Sequence, residues 1–203
     1  APNIFDNVAY YLYPKVNIPE AKESSSFVYN PILGKGYLYG GLNTMMKNRI
    51  WEFDSNTLQW KKIIAKNIPT VTKQRHSHSS CLFGNKLYFY GGVGKSGEYS
   101  FCPDLESFNL NTKMWDTPTI TSNLFKRRRN HICVQIGNQM IIHGGTTEDY
   151  TFLNDCFIYN FDNNKISNIM AVETSSMTLP YVAFHSACVV AKQEVIYSNK
   201  NQI

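Results

Sequence analysis

Three double glycines recur in this chain at near-equal spacing: Gly40-Gly41, Gly91-Gly92 and Gly144-Gly145, at intervals of 51 and 53 residues. Each closes an apolar run: Tyr37-Leu38-Tyr39, Leu87-Tyr88-Phe89-Tyr90 and Met140-Ile141-Ile142-His143. A period of this length marks a repeat architecture, in which one unit cannot bury its own hydrophobic faces and must stack on its neighbours. A second mark keeps the beat, because His78, His131 and His185 stand 13 residues before Gly91, Gly144 and Ser198. A fourth unit therefore opens, with Ser198-Asn199 where its double glycine belongs. A third mark is an aromatic followed by Asp or Asn: Phe53-Asp54, Phe108-Asn109 and Tyr159-Asn160. Seven residues beyond each aromatic come Trp60, Trp115 and Ile166. The stretch from second glycine to aromatic varies (12, 16 and 14 residues), as a loop of free length between two fixed strands does.

Each unit reads as four short strands. In the second, His78–Phe83 is a strand, Gly84-Asn85-Lys86 a turn and Leu87–Gly91 the next strand. The Gly-containing stretch Val93–Pro103 leaves as a loop, Leu105–Leu110 follows, and Asn111-Thr112-Lys113 turns into Met114-Trp115. Turn formers fall where hairpins need them. Composition agrees: 13 Tyr, 12 Phe and 3 Trp bring aromatic content to 14%, and rings favour pleated, half-buried strands. The double glycines supply positive φ and let packed sheets approach closely. Repeated four-stranded sheets bury both faces by stacking around an axis. The expected fold is all-β, with no helix longer than about two turns.

Taken together these marks resemble the kelch repeat, one blade of a kelch-type β-propeller. The double glycines Gly40, Gly41, Gly91, Gly92, Gly144 and Gly145 carry the resemblance, with Trp60, Trp115, the aromatic-plus-Asp/Asn steps and the openings Arg75–His78 and Arg128–His131. It covers roughly residues 24 to 203. Its departures are Ile166 for a tryptophan, Ser198-Asn199 for the glycines, and Ser26-Phe27 where Arg and His would open the first unit. The units are then 24–74, 75–127, 128–180 and an incomplete 181–203, with 1–23 as lead-in or as outer strands of a preceding blade (Phe5-Asp6 being its aromatic step). Kelch propellers usually close with six blades, so 203 residues are expected to be about four blades or parts of blades. The rest would lie on a longer chain or a second copy.

Enzyme signatures of the phosphate-loop, nucleophile-elbow and zincin kinds are absent. His76 and His78 stand at a spacing that puts both on one strand face, yet no third ligand is identifiable, so His78 reads as a packing residue and no metal or cofactor is expected. The five cysteines, Cys81, Cys102, Cys133, Cys156 and Cys188, form no Cys-x-x-Cys pair and read as reduced thiols of a cytoplasmic protein. No run of 18 apolar residues exists to span a membrane as a helix. A net charge of +5 is too mild to argue nucleic-acid binding. The run Lys126-Arg127-Arg128-Arg129 reads as a basic loop between blades.

Arg75 and Arg128 share one phase, three residues before His78 and His131. The resemblance implies arginines that open successive blades and help bind acidic peptides, and a planar guanidinium suits a carboxylate. The other expectation is a pair of struts bonding carbonyls of the neighbouring sheet. The function implied is non-catalytic binding of a protein or peptide partner, acidic in character, on the loop face. The alternative is a regulatory propeller attached to an enzyme such as a phosphatase or a ubiquitin-ligase adaptor.

Overall fold

A computed structural model describes residues 18–42, 49–67, 74–96, 98–102, 105–120, 126–169, 180–190 and 193–197. Residues 1–17, Pro103 and Ser198-Asn199 lie outside them. Every regular element among the described residues is a strand. Blade 1 comprises β1 (Ser26–Asn30), β2 (Lys35–Tyr39), β3 (Ile50–Asp54) and β4 (Gln59–Ile63), paired antiparallel in that order. After β5 (Arg75–His76), blade 2 is built from β6 (Ser79–Phe83) and β7 (Lys86–Tyr90), and the chain leaves it through β8 (Val93–Ser96) and β9 (Glu98–Phe101). It returns with β10 (Glu106–Asn109) and β11 (Met114–Asp116), in the sheet order β6-β7-β10-β11. Blade 3 is β12 (Ile132–Ile136), β13 (Gln139–His143), β14 (Cys156–Asn160) and β15 (Lys165–Asn168). Strands β16 (Ser186–Val190) and β17 (Gln193–Tyr197) form a two-stranded start to blade 4. The sheets are those of a kelch-type β-propeller. The first strands, β1, β6, β12 and β16, pack side by side around the axis.

Aromatic pairing sets the register. Phe53 faces Trp60, Phe108 faces Trp115 and Tyr159 faces Ile166 across the third and fourth strands. Between blades 1 and 2 lies a core of Tyr37, Tyr39, Ile50, Ile63, Leu87, Phe89, Phe108 and Trp115. Blades 2 and 3 enclose Tyr88, Tyr90, Leu105, Met140, Ile142 and Tyr159, with Ile166 packed against them. Trp115 thus lies between two sheets, in ring contact with Tyr39 of blade 1. Trp60 holds the same register but is only half-buried, with Phe27 and Phe53 of its own blade as ring contacts. The Asp or Asn after each aromatic caps the turn that follows. Asp54 Oδ1 accepts the Asn56 amide at 2.9 Å, and Asn109 and Asn160 do the same for Asn111 and Asp162.

The double glycines are the blade joints. Gly41, Gly92 and Gly145 donate their amides to the carbonyls of Arg75, Arg128 and Val182 at 2.9, 2.8 and 2.7 Å, each from one blade to the opening of the next. A Cβ on Gly91, whose φ is 63°, would sit 2.5 Å from the Arg128 carbonyl and 2.7 Å from the His131 ring. No side chain fits there. The histidines complete the joint: His78 Nε2 bonds Ser26 Oγ, and His131 Nε2 bonds Ser79 Oγ, both at 2.7 Å.

Two expectations change. Val93–Pro103 is largely an ordered hairpin, because Val93 and Phe101 pair directly and both are buried, which anchors the excursion on the core. The opening of the first unit also shifts. Ser24, Ser77, Asn130 and Phe184 all take left-handed backbone at intervals of 53, 53 and 54 residues. That phase places Lys22 at the position of Arg75 and Ser25 at that of His78, and frees Ser26 to bond the next blade's histidine.

Candidate functional site

The loops after β2, β7 and β13 and the segments that open the blades share one face, because second strands end and first strands begin at the same side of an antiparallel sheet. The pairing there is direct. Arg75 and His76 of β5 pair with Gly94 and Val93 of β8, while bridges join Glu23 to Leu42, Arg129 to Thr146 and Thr146 to Phe152. The openings with Arg75 and Arg128, the β8–β9 excursion and the loop 146–154 are therefore on the same rim.

Arg75 and Arg128 are turned inward at that rim, 1% and 0% exposed. Arg75 Nη2 donates to Glu106 Oε2 at 2.6 Å and Nη1 to the Gly91 carbonyl at 3.1 Å. Arg128 grips Asp155 with both terminal nitrogens, Nη2 to Oδ2 at 2.9 Å, and donates to the Gly144 carbonyl at 3.0 Å. Each arginine binds the preceding blade through its own carbonyl and its own blade through its guanidinium. An incoming carboxylate meets a fork already engaged by an internal one.

The residue one step on is placed differently. Arg129 is half-buried, its guanidinium 5.6 Å from the Phe101 ring centre and 5.0 Å from that of Tyr150. Both distances lie within cation–π range. None of the carboxylates among the described residues forms an ion pair with Arg129. Phe101 arrives on β9, and Tyr150 on a loop whose conformation is held locally. The Tyr150 amide donates to the Thr147 carbonyl at 3.1 Å, and the Thr147 and Thr151 hydroxyls donate to Asp149. Those two hydroxyls keep the Asp149 carboxyl below its ordinary range. Tyr150 itself is 71% exposed. A cleft at the same rim is lined by Lys126, Arg127, Thr147, Glu148 and Asp149.

Glu23, His76 and Arg129 occupy one repeat phase on three successive blades. The row runs from acidic through neutral to basic. Burial lowers the His76 pKa, Arg129 lowers it further, and Glu23 opposes both. His76 bonds the Ser77 hydroxyl through Nδ1 at 3.0 Å. It does not share a strand face with His78. The left-handed backbone of Ser77 ends β5 between them, and the His78 ring is packed against Tyr39 and Phe89 in the joint. Burial first, and then the charge of Arg75, pushes the His78 pKa well below the ordinary histidine value. His131 is depressed likewise, by burial and then by Arg128. Both rings are neutral packing groups near pH 7.

Arg129 and its two rings escape a sequence reading because they come from three separated segments. The one sequence signal for them is the basic run at 126–129, within which the repeat phase singles out Arg128.

Comparison with known proteins places this site in a family context. Residues 6–198 match the KLHDC2/KLHL20/DRC7 Kelch-repeats domain. Kelch domain-containing protein 3 of Rattus norvegicus is 25% identical over 186 residues, covering 81% of this chain and 45% of that protein. The Rab9 effector protein with kelch motifs of Homo sapiens is 27% identical over 128 residues, covering 63% of this chain and 34% of that one. Host cell factor 1 of Homo sapiens is 27% identical over 122 residues, covering 53% of this chain and 6% of its own length. The chain spans less than half the length of these relatives. The solved structure of YjhT aligns with a TM-score of 0.66 at 16% identity, covering 86% of this chain and 58% of that one, a likeness of fold.

Proposed function

We infer the function from one premise: the chain belongs to the kelch-repeat family, whose domain it matches over residues 6–198. We propose that it is a non-catalytic protein-interaction module whose partner sits on the face where the blades open. The relatives support a protein partner, since one of them is by name a Rab9 effector. The observation that carries the reading is Arg129, held between Phe101 and Tyr150 beside Lys126 and Arg127. Rings on a guanidinium restrict its orientation and leave its in-plane N–H groups to donate to a carboxylate, so the partner segment is acidic. The exposed ring of Tyr150 supplies the apolar contact that such hot spots use.

The test is a displayed peptide library selected on the full-length protein, followed by titration of the selected peptides. Wild type should enrich acidic sequences, and Arg129→Ala should weaken the best of them at least about tenfold, the scale of one charge-assisted contact. Its melting temperature should stay close to wild type, because a half-buried arginine without an ion pair contributes little stability. Equal affinity of both proteins for the same acidic peptides would remove Arg129 from the site.

A further inference from the structure

We propose that Cys133 and Cys81 form an oxidation site, in which hydrogen peroxide closes a disulfide between the first strands of blades 2 and 3. Cys81 is on β6 and Cys133 on β12, strands that pack against each other near the axis. Both line one groove with Leu82, Val134 and Cys188. Across the blade boundary Cys133 packs against the core cluster that contains Cys81, and Cys188 is not part of that cluster. Cysteines that face one another from neighbouring packed strands are the arrangement a disulfide can bridge.

The two thiols differ in access. Cys133 is half-buried on the groove wall, and Cys81 is buried beneath it with Tyr88 and Tyr159. Burial, and then the contact with Cys133, pushes the Cys81 thiol well above its ordinary range, which keeps it protonated. Oxidant entering the groove therefore meets Cys133 first. The Cys133 sulfur attacks one peroxide oxygen; an S–O bond forms, the O–O bond breaks, and the departing hydroxide takes the thiol proton and leaves as water. Cys81 then gives up its proton towards the leaving oxygen as its sulfur attacks the Cys133 sulfenic acid. The S–S bond forms, the S–O bond breaks, and the hydroxide released takes the Cys81 proton to give a second water. The two sulfurs together lose two electrons, and one peroxide becomes two waters.

Cys102 and Cys156 do not line this groove, and Cys188, exposed on β16, is the competing partner. The product is a covalent tie between two blades that are otherwise joined by packing, backbone hydrogen bonds and the Ser79–His131 side-chain bond.

The experiment treats the full-length protein with graded hydrogen peroxide, alkylates the remaining thiols, and maps peptides without reduction. A Cys81–Cys133 cross-link is expected, with a melting temperature raised by about 5 °C or more and restored by dithiothreitol. Cys133→Ser should abolish the cross-link and the shift, while Cys188→Ser should leave both in place. A Cys133–Cys188 link would overturn the proposal, as would Cys133 oxidised beyond the sulfenic acid while Cys81 remains alkylatable. Because Cys133→Ser conserves size at a half-buried position, the test does not depend on the variant at buried Cys81.

Discussion

Replacing Arg75 by Ala separates a strut from a ligand-binding residue. Its guanidinium and the Glu106 carboxylate are each about 1% exposed and 2.6 Å apart, so water screens neither charge. Deleting the arginine leaves Glu106 buried without its counter-charge, a change that costs about 3–5 kcal/mol in a folded protein. The bond to the Gly91 carbonyl adds about 1 kcal/mol, because that acceptor lies in the joint itself. A domain whose total stability is about 5–15 kcal/mol would lose a large share of it. Urea unfolding of wild type, Arg75→Ala, Glu106→Gln and Arg75→Met/Glu106→Leu measures this. The single Arg75 variant should lose the most, and the double variant should recover part of the loss, since an apolar pair of similar volume leaves no bare charge. Arg128→Ala should cost less, because the Asp155 side chain is 18% exposed and water can reach it. The reasoning is refuted if Arg75→Ala unfolds within about 1 kcal/mol of wild type and loses the partner's acidic peptide. Arg75 would then be a ligand-binding residue after all.

Other perturbations probe the joints. Gly84 and Gly91 both have left-handed backbone, but a Cβ at Gly84 meets nothing within 4 Å, whereas one at Gly91 overlaps the Arg128 carbonyl. Chemical denaturation should show Gly84→Ala costing about 1 kcal/mol and Gly91→Ala at least twice that, and equal costs would mean that blade approach is not the constraint. Trp115→Ala should cost about 3–5 kcal/mol by calorimetry and Trp60→Ala clearly less, following their burial. Acid should loosen the histidine joints. Burial, and then His143 at 3.3 Å, brings the His185 pKa to about 4, and His78 and His131 are depressed too. Groups whose folded pKa lies below the unfolded value of about 6.5 add stability above that pH and lose it as pH falls through their folded pKa. The melting temperature should hold above about pH 7 and drop between about 6.5 and 4; a flat profile across that window would exclude the histidines as its cause.

The propeller was legible because a blade joint repeats the same physical demand in every unit. Each joint needs a residue with left-handed backbone and no Cβ, so glycine returns at Gly40, Gly91 and Gly144 and its spacing can be counted. Each third strand needs a cap on its exit turn, so Asp54, Asn109 and Asn160 return as well. Other features carry no residue signature. Left-handed backbone at Ser24, Ser77, Asn130 and Phe184 is imposed by the joint on four positions with three different side chains, and composition could not flag it. The β8–β9 hairpin depends on Val93 meeting Phe101 across a segment whose glycines and polar residues read as loop. The rim site joins Arg129, Phe101 and Tyr150, which no local spacing connects.

Repeat phase also shows which side chains the fold does not dictate. The amides of Gly41, Gly92 and Gly145 are received by backbone carbonyls of Arg75, Arg128 and Val182, so the joint is indifferent to the side chain at that phase. Lys22, Arg75, Arg128 and Val182 fill it in turn, an arginine standing where its own blade supplies a carboxylate. Those carboxylates do not share a phase: Glu106 pairs with Phe89 inside β10, whereas Asp155 precedes β14, whose first residue pairs with His143. Two blades thus reached an arginine–carboxylate pair from different positions, buried in blade 2 and part-buried in blade 3, as additions to a joint that works without them. One residue further on, Glu23, His76 and Arg129 are held through their backbones as well, each in a pair with the strand or loop beside it, so their side chains too are free to differ from blade to blade. Constancy along the repeat reports packing here, and the charge that changes from blade to blade marks the surface that distinguishes this propeller from a stack of identical sheets.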